Sequence, residues 1–115
     1  MRNLIKAAKA LSDETRLRIL NLLTERECCV CEVMQALEIS QSKASRGLSA
    51  LYDAGFLKLR REALWSFYSI IDETEEFYAE LVSVVRKALK DNEVVQADRE
   101  RLRRAERVGP SYVSR

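Results

Sequence analysis

Between Leu37 and Gln41 the chain has room for nothing but a tight turn, and that short connection constrains the fold more than any other feature. On its near side, Val30 to Leu37 places Val33, Met34 and Leu37 on one helical face. On its far side, Ser40 is a good N-cap for a helix from Gln41 to about Asp53, in which Ala44, Leu48 and Leu51 repeat at i, i+4 and i+7. Glu38 and Ile39 alone turn the chain between them. Burying the Ala44 stripe turns Gln41, Ser42, Ser45, Arg46 and Ser49 outward, all able to hydrogen-bond and none large and apolar. Gly55 supplies the helix stop.

The flanking segments extend the pattern. Asn3 to Leu11 carries Leu4, Ile5, Ala8 and Leu11 at helical spacing, and Thr15 to Glu25 follows a cap at Ser12 or Asp13. Phe56–Arg61 and Leu64–Ile71 are rich in β-branched and aromatic residues and predict a hairpin with its tip at Glu62-Ala63. A long helix from about Glu73 to Asp91 aligns Phe77, Leu81, Val84, Val85, Ala88 and Leu89 in one stripe. That is more apolar surface than so small a core needs, so Leu4, Ile5, Ala8, Phe77, Leu81, Val84, Val85 and Ala88 are candidate dimer contacts. The order predicts a mainly α chain with a β-hairpin wing, a winged helix-turn-helix, working as a homodimer. Residues 1–92 form the DNA-binding and dimerisation domain; 93–115 form a basic C-terminal extension, helical to about 108 and partly disordered after Gly109-Pro110.

Charge supports a nucleic-acid partner through its distribution, since the net value is only +2. Lys43, Arg46, Lys58, Arg60 and Arg61 cluster in 40–61 against Asp53 alone, whereas Asp72, Glu73, Glu75, Glu76 and Glu80 crowd 72–80. The candidate DNA-reading residues are Gln41, Ser42, Lys43, Ser45 and Arg46 in the major groove, with Arg60 and Arg61 reaching phosphates from the wing. No apolar run approaches the roughly 18–20 residues that span a bilayer, and the start lacks a signal-peptide apolar region, so the expectation is a cytoplasmic protein with no membrane partner.

The three cysteines of the chain all fall in Glu27-Cys28-Cys29-Val30-Cys31-Glu32, and histidine is absent. Reduced thiols are expected in that compartment, and the cluster is too tight for a disulfide framework. An ion held here is held by sulfur, which favours soft thiophilic species. On an intact helix Cys29 and Cys31 point roughly 200° apart, so a shared ligand requires the first turn to unwind. A thiol redox or persulfide sensor is the alternative use of the same sulfurs. Enzyme chemistry is disfavoured: no Cys-His pair can be built, and the three glycines form no phosphate-cradling loop.

Taken together, several segments resemble the ArsR/SmtB family of metal-responsive winged-helix repressors, over roughly residues 8–90. They are Leu11-Ser12-Asp13-Glu14-Thr15-Arg16-Leu17-Arg18-Ile19-Leu20, Ser40-Gln41-Ser42-Lys43-Ala44-Ser45-Arg46-Gly47-Leu48, Ala54-Gly55-Phe56-Leu57, and Arg60-Arg61 with Trp65 and Tyr68. The cysteine segment is similar to the metalloid-binding version, Glu-Leu-Cys-Val-Cys-Asp-Leu. That resemblance implies Cys29 and Cys31 as core thiolates for trivalent arsenic or antimony as inducer, with release from double-stranded operator DNA on binding. Met34 stands where some relatives place a third cysteine, and Cys28 replaces a leucine, so Cys28 is the candidate third sulfur. Gly47 and Ala63 also depart from common family choices. The family's histidine-dependent site on the fifth helix has no histidine here, and the cysteines of its cadmium- or lead-binding N-terminal arm are missing. No organic cofactor is implied.

Overall fold

The computed structural model describes residues 1–71 and 76–108. The acidic residues Asp72, Glu73 and Glu75, the expected start of the long helix and the tail from Gly109 lie outside the described residues. In chain order the elements are α1 (Arg2–Ala10), α2 (Glu14–Glu25), β1 (Cys28–Cys29), α3 (Val30–Leu37), α4 (Gln41–Asp53), β2 (Leu57–Glu62), β3 (Trp65–Ile70), α5 (Glu76–Ala88) and α6 (Glu93–Arg104). Among the described residues, no helix is long and apolar enough to cross a membrane.

Caps set the helix starts. The Asp13 carboxylate accepts from the Arg16 N–H at 3.0 Å and opens α2, and the Ser40 hydroxyl accepts from the Lys43 N–H at 3.1 Å and opens α4. Helix α3 ends on Glu38, whose left-handed φ of 57° lets the Ile39 N–H reach back to the Met34 carbonyl at 3.2 Å. The turn between α3 and α4 is thus closed by the helix stop itself.

Ala44, Leu48 and Leu51 are fully buried, as their spacing predicts, and meet Ile19, Leu20, Leu22, Val33 and Phe56 in the main core. Gly47 lies on the same face because α4 packs very close to α2 there: a Cβ would sit 2.5 Å from Ile19 Cδ1. Gly55, at φ +99°, leads out of α4 under the Tyr78 ring, whose hydroxyl donates to the Ala54 carbonyl at 2.7 Å.

The wing pairs β2 with β3 antiparallel from Leu57 opposite Ile70 to Glu62 opposite Trp65. Its tip is Ala63-Leu64, one residue later than expected, with Ala63 at φ 54°, a positive value that two-residue hairpins favour. Cys28 and Cys29 add a third strand, opposite Tyr68 and Phe67 of β3, giving the order β1-β3-β2. Nothing in the sequence reading placed a strand there.

Helix α6 packs on α2 and α3 through buried Val95, Asp98 and Leu102. Asp98 accepts two bonds from Arg18, at 2.9 and 2.7 Å, and one from Arg101 at 2.9 Å. The basic stretch after residue 92 therefore joins the same packed body, and a boundary at 92 divides the chain by composition only.

Candidate functional site

Cys29 sits at the N-cap of α3 with an extended backbone (φ −88°, ψ 169°), and Cys31 lies in the first helical turn. An extended residue followed by a helix start brings side chains i and i+2 to the same side. Cys29 and Cys31 are accordingly joined as a disulfide with their Cα atoms 5.5 Å apart. One sequence expectation is corrected here: the 200° divergence assumed a helical Cys29, whereas the extended backbone at Cys29 sets the two sulfurs side by side. The two sulfurs come together with α3 intact.

Cys28 is not brought to them. Successive residues of a strand face opposite ways, and Cys28 enters the main core, fully buried, while Cys29 and Cys31 pack with Phe67 and Trp65 in a separate small cluster. The Cys28 thiol faces the Arg26 carbonyl at 3.5 Å. Burial pushes its pKa up to about 12, with help from Glu32 and against the pull of Arg26 and Arg107. Near neutral pH it is a protonated thiol, and a ligand must displace a more tightly held proton. Among the described residues no group of three or more histidine, cysteine or carboxylate side chains converges as a metal site.

Glu32, almost fully buried, frames the pair. One carboxylate oxygen accepts from the Cys29 N–H at 3.0 Å and from Arg107 at 3.2 Å, and the other pairs with Arg26 at 2.6 Å. Two arginines thus balance a charge that would otherwise oppose thiolate formation nearby. Glu27 is likewise engaged, accepting from Arg60 at 2.9 and 2.8 Å, and this hydrogen-bonded pairing lowers its pKa. The guanidinium groups of Arg60 and Arg107 lie 4.4 and 4.7 Å from the centroid of Phe67, the ring that packs on both sulfurs. Beside the pair opens a cavity of about 180 Å³, lined by Cys29, Val30, Cys31, Gln41, Leu64, Trp65 and Ser66.

On the outer face of α4, Gln41, Ser42, Lys43 and Arg46 are exposed and Ser45 is half-buried. Arg46 is hydrogen-bonded to Ser42, one turn before it. Arg61 is exposed on the wing, but Arg60 is held by Glu27 and Glu62. Of the candidate dimer residues, Leu4, Ile5, Ala8, Val84 and Ala88 are exposed. Phe77 and Leu81 are half-buried against the chain's own core, and Val85 is buried within it. Sequence reasoning placed Glu32 beside the thiols as an opposing charge, and missed Phe67, Arg26 and Arg107 as parts of the thiol site. The alternation of Phe67 with its strand neighbours was the one signal available, because the arginines arrive through tertiary packing.

A family profile for bacterial regulatory proteins of the arsR family matches residues 13–58. The arsenical resistance operon repressor of Escherichia coli is 37% identical over 94 residues, 81% of this chain and 79% of that protein. An arsenic resistance transcriptional regulator of Pseudomonas putida is 44% identical over 70 residues, 60% of this chain, and the match spans only 55% of that relative's length. The solution structure of a homodimeric winged helix-turn-helix DNA-binding domain from Mycobacterium bovis superposes with a TM-score of 0.66 at 29% identity, covering 80% of this chain and 82% of that one. Architecture, motif and relatives agree: the chain belongs to the arsR family of bacterial regulatory proteins, winged helix-turn-helix transcription regulators that are not enzymes.

Proposed function

We propose that this protein is a cytoplasmic homodimeric repressor that leaves its operator when trivalent arsenic or antimony binds the reduced Cys29–Cys31 pair. One observation carries the reading: the two sulfurs meet where the wing sheet and the helix-turn-helix join. Cys29 belongs to β1, which is hydrogen-bonded to wing strand β3, while Cys31 opens α3, which runs through the tight turn into α4. Relatives named for arsenic resistance support the choice of inducer.

In the reduced state Cys29 and Cys31 supply two soft thiolates, the donor type that thiophilic ions select. A bound metalloid bridges both sulfurs. The reduced thiols are free of each other, so a metalloid held by both fixes their spacing and orientation, and either β1 shifts along β3 or the first turn of α3 moves. Glu32, bonded to the Cys29 N–H and to Arg26 and Arg107, resists that movement and transmits it. Gln41, Ser42, Lys43, Ser45 and Arg46 then lose their register in the major groove, and Arg61 its phosphate. A coupling of about 1–3 kcal/mol is typical of such switches. Exposed Leu4, Ile5, Ala8, Val84 and Ala88 meet a second copy, so the operator is a palindrome with half-sites about one helical turn, or a multiple, apart.

The disulfide itself favours a second reading, a repressor switched by thiol oxidation or persulfide. Operator-binding anisotropy separates the two. With the protein held reduced by a phosphine, arsenite releases DNA under the first reading and leaves it bound under the second, in which only an oxidant or persulfide acts.

A further inference from the structure

Trivalent arsenic makes three bonds, and this site offers it two sulfurs. The third thiol of the cluster lies on the opposite face of β1, inside the main core and against the Arg26 carbonyl. The third position therefore belongs to a group that arrives with the ligand. Beside the sulfurs lies the solvent-open cavity of about 180 Å³ between them, Gln41 and the wing tip. An apolar cavity of about 150 Å³ is enough to hold benzene.

Its walls are mostly apolar. Val30 and Trp65 contribute, Trp65 being stacked on Phe67 at 5.8 Å between centroids. Leu64 is 80% exposed at the hairpin tip, where no core contact accounts for a large apolar side chain. Gln41, the first residue of α4, closes the other side, so an occupant of the cavity touches the recognition helix directly.

We propose that the preferred inducer is a trivalent arsenical carrying one organic substituent, aryl or alkyl, with arsenic on Cys29 and Cys31 and the substituent in the cavity formed by Val30, Gln41, Leu64 and Trp65. The proposal rests on the metalloid reading above. The chemistry balances without a redox step once the pair is reduced by a phosphine or a cellular dithiol. The dihydroxy form R–As(OH)2 exchanges two As–O bonds for two As–S bonds, the two thiol protons leave with the hydroxides as two waters, and arsenic stays trivalent. Apolar surface at Leu64 and Trp65 leaves water as the substituent seats.

The test uses the full chain, reduced with a phosphine and bound to operator DNA, titrated with hydrated phenylarsine oxide, with a monomethyl trivalent arsenical and with arsenite. Trp65 is the only tryptophan, so its fluorescence reports occupancy of the cavity directly. The expected result is one phenylarsenical per chain by intact mass, a changed Trp65 signal, and operator release at a concentration at least about tenfold below that of arsenite. Organic arsenicals bind any dithiol well, so the share due to the cavity is read from variants. In Leu64→Ser, at an exposed position where folding is not at stake, and in Trp65→Ala, the ratio between phenylarsenical and arsenite should fall severalfold. An unchanged ratio in both variants, or a wild type that answers arsenite as well as the phenyl compound, overturns the proposal while leaving the metalloid reading standing. Failure of every arsenical to bind or release overturns both.

Discussion

Replacing Asp98 by alanine should cost this small domain a large part of its stability. The carboxylate is 1% exposed and accepts three charge-assisted hydrogen bonds, two from Arg18 and one from Arg101. Removing one partner of a buried ion pair costs about 3–5 kcal/mol, mostly because the other charge is left unpaired. Arg18 is still partly solvated and keeps a bond to the Leu37 carbonyl at 3.3 Å, and Arg101 keeps the Ala36 carbonyl at 2.7 Å. Those retained contacts argue for the lower end, about 3 kcal/mol. At about 4 °C per kcal/mol for a chain of this size, the midpoint of thermal unfolding should fall by about 12 °C. Calorimetry at fixed protein concentration, with urea unfolding at an unchanged m-value, measures it. Asp98→Asn should lie between the variant and wild type. A loss below about 1 kcal/mol in Asp98→Ala would mean that α6 is a solvated appendage, and the account of its packing would be wrong.

Gly55→Ala must place a side chain at φ +99° and drive its Cβ to 2.5 Å from the Tyr78 hydroxyl. It should destabilise by about 2–4 kcal/mol in urea unfolding, and a neutral result would refute the close packing under Tyr78. Cys28, with a folded pKa of about 12 against about 8.5 unfolded, contributes stability that is complete below about 8.5 and is lost as pH rises towards 12. The wild-type chain should therefore lose up to about 1.4 kcal/mol more than Cys28→Ala for each pH unit in that window, and parallel curves would contradict it. On DNA, Arg46→Ala or Arg61→Ala should each lower the slope of log K against log salt by about 0.9 if the residue neutralises a phosphate. Arg60→Ala should lower it less, because Glu27 and Glu62 already hold that guanidinium; equal slopes for Arg60 and Arg61 would contradict this division.

The helix-turn-helix was legible because its information is local. Asp13 and Ser40 announce helix starts through their own side chains, and Ala44, Leu48 and Leu51 mark the buried face by spacing. The wing was legible from residue types, apart from a one-residue shift at its tip. Strand β1 was not, since two residues are too few to show a period, and the backbone at Cys29 follows from pairing with Phe67 of β3. Missing that strand hid one piece of geometry: alternation along it turns Cys28 to the opposite side from Cys29. Helix α6 was legible as a helix but its packing was hidden by composition, because its arginines look solvated until Asp98, Arg18 and the α3 carbonyls are seen to receive them. Glu32 was read as a charge working against the thiols. It does raise the Cys28 pKa, while its two arginine partners, one from residue 107, pull the other way, and no local pattern could have revealed them.

In the proposed switch two sulfurs, Cys29 and Cys31, and not three, hold the inducer and release the operator. X-ray absorption at the arsenic edge counts them directly, on arsenite-loaded protein in phosphine-reduced buffer free of small thiols. Two sulfurs per arsenic are expected in the wild type, two again in Cys28→Ala, and loss of arsenite-driven operator release in Cys29→Ser and Cys31→Ser with operator binding retained. Three sulfurs in the wild type falling to two in Cys28→Ala would contradict it.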